Sequence, residues 1–176
     1  MAADTIVHRL LSQRERRPSA PAYFVKHHGV WRPTSWRDYV VEIRTAARAL
    51  MALGLPAGGT VAMLGFNRPE WVIFDHAAMM AGGAAAGIYT TCSAEEVAYI
   101  VDHAEAHAVL IEDLGQWKKI VAERARMPKL RHVVTMRDCP PIDDPLVLSW
   151  TAFCDRAAAV SDADLDARID RIEQAQ

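Results

Sequence analysis

The run Ile88-Tyr89-Thr90-Thr91-Cys92-Ser93 is where this chain first offers chemistry, because an apolar stretch suited to a buried strand gives way to hydroxyl groups and then to a helix start. In open α/β sheets, ligands lie at the carboxyl ends of strands. Tyr89 and Thr90 are therefore candidates to face a cleft, and Asn67, at the end of the preceding strand-like run, is a third. Each has a plainer reading beside that one. Ser93 caps the helix and the threonines satisfy the turn, while Asn67 with Glu70 three residues on forms a helix cap. Cys92 lies near a helix start, where a thiol pKa can fall, yet no paired His or Lys accompanies it.

Other chemistry-bearing residues point less far. The seven histidines include His103 and His107, four apart, but a helix end and a strand start separate them, and no HExxH spacing exists. The stretch Gly82-Gly83-Ala84-Ala85-Ala86-Gly87 follows a helix and enters a strand, the reverse of a dinucleotide loop, so it reads as a helix C-cap with close packing. No GxxxxGK[ST] loop and no GxSxG elbow is present, so the sequence carries no complete catalytic apparatus and no catalytic residue is assigned. Five tryptophans read as core or rim residues, and Arg14, Arg16 and Arg17 as cations favoring a helix C-terminus.

The elements that position these residues follow from periodicity and punctuation. A half-buried helix spans about residues 5–16; short strands at 22–25 and 30–33 flank His27-His28-Gly29, where glycine suits a tight turn. Ser35 and Asp38 open a helix carrying Tyr39, Ile43, Ala46 and Leu50 as far as Gly54. Strands at 60–64, 84–89, 107–111 and 131–136 then alternate with helices starting near Asn67, Ser93 and Asp113. Such alternation predicts an α/β fold: a mostly parallel sheet flanked by helices on both faces, with an N-terminal β-hairpin. After Cys139-Pro140-Pro141 a proline-rich loop reaches Pro145, Ser149 caps a short helix, and Leu165, Ile169 and Ile172 form a thin stripe on an exposed helix or connector. On this reading the chain stops without a closing strand, which leaves self-association open.

Composition bounds the partners. The 176 residues are 51% hydrophobic and 24% charged, with a formal net charge of -2 and a pI near 6.4. No field is present to draw in a nucleic-acid backbone. The first residues lack a basic segment followed by an apolar one, and no window suits a transmembrane span, which implies a cytoplasmic protein with peripheral membrane contact left open. Cys92, Cys139 and Cys154 are odd in number and widely spaced, so reduced thiols are expected and neither a disulfide framework nor a metal site is indicated.

Taken in order, several segments resemble one family. They are Arg17-Pro18-Ser19-Ala20-Pro21-Ala22-Tyr23, Thr34-Ser35-Trp36-Arg37-Asp38-Tyr39, Gly59-Thr60-Val61-Ala62 through Asn67-Arg68-Pro69-Glu70-Trp71, Ala81-Gly82-Gly83 to Gly87-Ile88-Tyr89-Thr90-Thr91, and Ser93-Ala94-Glu95-Glu96-Val97-Ala98-Tyr99-Ile100 to Val109-Leu110-Ile111-Glu112-Asp113. This set resembles the amino-terminal region of the AMP-forming adenylate ligases, and within them the long-chain, bubblegum-type fatty acyl-CoA synthetases. The likeness covers residues 5–157.

The resemblance implies an incomplete N-terminal, AMP-binding domain over 1–176, with a main α/β part at 5–136 and a loop and helical tail at 137–176 leading to a missing phosphate loop. It implies a fatty acid substrate, with ATP, Mg²⁺ and coenzyme A as cofactors of the full-length enzyme and none expected to bind this segment tightly. It also implies that the family's phosphate loop, hinge and carboxyl-terminal lysine lie in later segments, so that the 176 residues alone are inactive. A second reading stays open: a non-catalytic α/β interaction or regulatory domain that keeps the ligase fold without its chemistry.

Overall fold

The computed structural model describes residues 4–172. Helix α1 (Ile6–Arg16) is capped by the Thr5 hydroxyl, and strands β1 (Pro21–His27) and β2 (Val30–Ser35) form an antiparallel hairpin. Its turn takes positive φ at His28 (48°) and Gly29 (82°), a conformation that glycine reaches without steric cost. Helix α2 (Trp36–Ala52) starts at Ser35, whose hydroxyl accepts the Asp38 N–H.

The second sheet has five parallel strands in the order β4-β3-β5-β6-β7: β3 (Thr60–Leu64), β4 (Ala84–Ile88), β5 (Ala108–Ile111), β6 (His132–Thr135) and β7 (Val147–Ser149). Alternation along the strands divides the core into two layers. Val61, Met63, Leu110 and Val134 pack against α1, α2, α3 (Pro69–Met80), α6 (Trp150–Asp155) and α7 (Asp162–Ile169). Ala62, Leu64, Val109, Ile111 and Val133 pack against α4 (Ala94–His103) and α5 (Leu114–Ala122). The step from β3 to β4 uses a helix on one face, and the steps back through β5 to β6 use helices on the other, as a constant crossover hand requires. The expected α/β architecture and N-terminal hairpin are thus present.

Three local expectations are corrected. Beyond the loop, where no strand was expected, β7 follows the Asp144-Pro145-Leu146 turn and pairs with β6, so the sheet continues one strand further than the sequence suggested. The tail is not a thin exposed stripe: Leu165 and Ile169 are buried, and Arg44 of α2 holds Asp162 and Asp166 at 2.8 and 2.7 Å. Asn67 does not cap α3. Arg68 stands at the N-cap without a side-chain hydrogen bond and Pro69 takes the first helical turn, where a missing N–H costs nothing. Glu70, freed from a capping box, turns inward.

The reading of Gly82-Gly83 as a helix cap with close packing holds. Gly82 has φ +75° and the Gly83 N–H donates to the Ala78 carbonyl at 2.8 Å, closing α3.

Candidate functional site at the carboxyl edge of the sheet

Because all five strands run parallel, their carboxyl ends share one edge. There, Gly65, Phe66 and Asn67 leave β3 while Tyr89 and Thr90 leave β4, and together they border a recess of about 660 Å³. The structure therefore brings Asn67, Tyr89 and Thr90 together. Tyr89 is 83% exposed, although it follows the buried Ile88. Trp71, on the first turn of α3, also lines the recess and lies against Gly87.

The turn beyond β4 is fixed by main-chain and charged contacts. The Cys92 N–H donates to the Tyr89 carbonyl at 3.0 Å, and Ser93 and Glu96 complete a reciprocal cap on α4. Ser93 is thus spent on the helix, as its capping reading required. Lys119 of α5 donates from Nζ to the Thr90 carbonyl at 2.6 Å. The Thr90 hydroxyl and the Asn67 amide make no side-chain hydrogen bond among the described residues, so both are free for a ligand.

The strand order reverses between β3 and β5, the place where open α/β sheets usually split to admit a ligand. Here Glu112 bridges the split, its Oε2 accepting the Phe66 N–H at 2.9 Å. Gly65 allows this closeness, since a β-carbon there would sit 2.9 Å from Glu112 Cβ and 2.8 Å from Met136 Cε. The open recess consequently lies one strand over, between the ends of β3 and β4.

Beside it is a charged cluster that the sequence did not reveal. Glu70, 2% exposed, accepts the Arg137 N–H at 3.2 Å and lies 3.6 and 3.5 Å from the guanidinium nitrogens of Arg68 and Arg137. Arg137 also meets Glu42 at 3.3 Å and stacks over Trp150 at 5.3 Å. Acids and bases in this cluster offset one another, which fits a tie between α2, α3 and the loop after β6. It borders a larger cavity of about 940 Å³ beneath the hairpin, where the Tyr39 hydroxyl lies 2.9 Å from His76 Nδ1. Burial raises the Tyr39 pKa.

The remaining candidates are placed in structural surroundings. His103 stacks on Tyr99, whereas His107 Nε2 lies 2.9 Å from the Leu53 carbonyl, and the described residues hold no group of three or more potential metal ligands. All three cysteines are free, and burial pushes the Cys154 thiol up to about 11.

The model of a family described as AMP-binding enzyme matches residues 10–169. The chain is 35% identical over 136 residues to the long-chain-fatty-acid–CoA ligase ACSBG2 of Xenopus laevis, covering 77% of this chain and 18% of that protein. It is 34% identical over 145 residues to the long-chain-fatty-acid–CoA ligase ACSBG1 of Homo sapiens, covering 82% and 20%. The chain spans about a fifth of the length of these curated relatives. Among solved structures, the anthranilate CoA ligase AuaEII in complex with anthranoyl-AMP aligns with a TM-score of 0.76 and 23% identity, over 90% of this chain and 29% of that one. That likeness concerns the fold.

Proposed function

Because the chain belongs to the AMP-binding enzyme family, we propose that it forms the amino-terminal part of an AMP-forming fatty acyl-CoA ligase and supplies one wall of the cleft in which that reaction occurs. The observation that carries this reading is the convergence of Asn67, Tyr89 and Thr90 on one recess at the carboxyl edge, in a chain whose curated relatives are long-chain-fatty-acid–CoA ligases.

In such a ligase a fatty acid carboxylate attacks the α-phosphorus of ATP, the bond to pyrophosphate breaks, and an acyl-adenylate forms. The thiol of coenzyme A then attacks the acyl carbon, a proton leaves the sulfur, and AMP departs. ATP with Mg²⁺ supplies the activated phosphate and the countercharge. Adenylyl transfer depends on cations and donors aimed at the developing charge. In this chain Lys119 is held by the Thr90 carbonyl, and Arg68 and Arg137 are matched by Glu70 and Glu42. The role assigned here is accordingly one of shape and orientation: Trp71 and Tyr89 offer ring surfaces, and Asn67 and Thr90 offer side-chain donors. The α/β part runs on past residue 136, since β7 joins the sheet and α7 packs on the core, and the phosphate-binding segments are those that the rest of the ligase provides.

The test is turnover with palmitate, ATP, Mg²⁺ and coenzyme A by the ligase that carries this chain, with Asn67→Ala, Tyr89→Ala and Thr90→Val beside the parent. Lower kcat/KM in these variants, with unfolding midpoints unchanged, is expected. Parent-like kinetics in all three would remove the recess from the reaction, and no turnover by the parent would reject the ligase assignment.

A further inference from the structure

One short segment, the end of β5 running into α5, reaches both lips of the recess at the sheet edge. Ile111 and Ile120 are fully buried and fix this segment in the core. Between them, Glu112 Oε2 accepts the Phe66 N–H at 2.9 Å, on the lip that leaves β3, and Lys119 Nζ donates to the Thr90 carbonyl at 2.6 Å, on the lip that leaves β4. With strands in the order β4-β3-β5, Glu112 acts on the neighboring strand and Lys119 reaches past it to the next.

Both hydrogen bonds carry a charged partner, which makes them stronger than neutral ones, and both end on main-chain atoms of the lips. They therefore govern where the lips stand, not which side chains the lips present. Neither Glu112 nor Lys119 lines the recess, whereas the residues at their contacts do: Phe66 with Asn67 on one side, Thr90 with Tyr89 on the other. A lip released from its tether samples other positions. A ligand then meets the competent spacing for a smaller fraction of the time, and its apparent affinity falls by that fraction.

We propose that Glu112 and Lys119 are positioning residues, a two-point brace through which β5 and α5 set the width of the recess and with it the affinity for the substrate that the recess takes. This role rests on the ligase reading of the recess.

The test is steady-state turnover by the ligase that carries this chain, with ATP and palmitate each titrated against saturating concentrations of the other substrates, well below the unfolding midpoints. Glu112→Ala and Lys119→Met should each raise KM for one of the two about tenfold, the loss of one charge-assisted hydrogen bond, with kcat within about twofold of the parent. Glu112→Gln keeps an acceptor oxygen and should recover most of the affinity. In a chain that already carries Asn67→Ala and Thr90→Val, Glu112→Ala should add less than about twofold, because the brace acts through those lips. Should Glu112→Ala not fold, Lys119→Met decides alone. Unchanged KM in the folded brace variants, beside a parent that Asn67→Ala slows, overturns the brace and leaves the ligase reading in place, and so does a Glu112→Gln enzyme as weak as Glu112→Ala. Parent-like kinetics in Asn67→Ala, Tyr89→Ala and Thr90→Val, or no turnover by the parent, removes the recess from the reaction and the brace with it.

Discussion

Gly83 approaches Gly59 so closely that a β-carbon at position 83 would lie 2.5 Å from the Gly59 carbonyl oxygen. The same carbonyl accepts the Ala84 N–H at 2.9 Å, so the contact sets where β4 begins beside β3. Both partners are backbone and neither can swing aside. Gly83→Ala is therefore expected to destabilize the fold by about 1–3 kcal/mol, the range for overpacking a tight site. Urea unfolding of the variant checks this, and a midpoint equal to the parent's would refute it.

Lys119 anchors the turn beyond β4 through the Thr90 carbonyl. Lys119→Met keeps the aliphatic stem and removes the donor, leaving a charge-assisted hydrogen bond unmade at a cost of about 1.5 kcal/mol. Faster amide exchange at Cys92, whose N–H closes the same turn, is the expected local sign.

Docking of α7 predicts a core-like penalty for its apolar residues. Leu165→Ala should cost about 2–5 kcal/mol, as deletions of buried leucine do. An exposed connector would instead tolerate the change within about 0.5 kcal/mol.

His132 supplies a pH dependence. Burial, with His107 close by at a ring separation of 5.8 Å, lowers its pKa below the ordinary 6.5; Arg156 and Arg131 act in the same direction, while the Leu53 carbonyl opposes them. The unfolded chain then binds a proton at a higher pH than the folded one. Stability contributed by neutral His132 is present above pH 6.5 and declines as pH falls from 6.5 toward the lowered folded-state value. Urea midpoints measured between pH 8 and 5 should fall with acidity, and the slope should flatten in His132→Gln.

What the sequence disclosed and what it hid divide along distance. Caps made within four residues were readable: Ser35 with Asp38, Ser93 with Glu96, Asp113 with Gln116. So was the gathering of Asn67, Tyr89 and Thr90, because parallel strands must end on one edge. Asn67 misled as a cap because Pro69 moved the helix start one residue along. β7 went unread because its three residues follow a Pro-containing turn and gain their meaning only by pairing with β6. The burial of α7 depends on Arg44, more than a hundred residues earlier, and Glu112 and Lys119 reach their partners across 46 and 29 residues. No local pattern encodes such contacts.

The measurement closest to the central claim is pyrophosphate release from ATP with palmitate and Mg²⁺, run in parallel on the ligase that carries this chain and on the 176-residue chain alone. The account predicts release by the former and background by the latter, because Lys119, Arg68 and Arg137 beside the recess are already held by Thr90, Glu70 and Glu42. Palmitate-dependent release by the 176 residues alone, or none from the whole ligase, would contradict it.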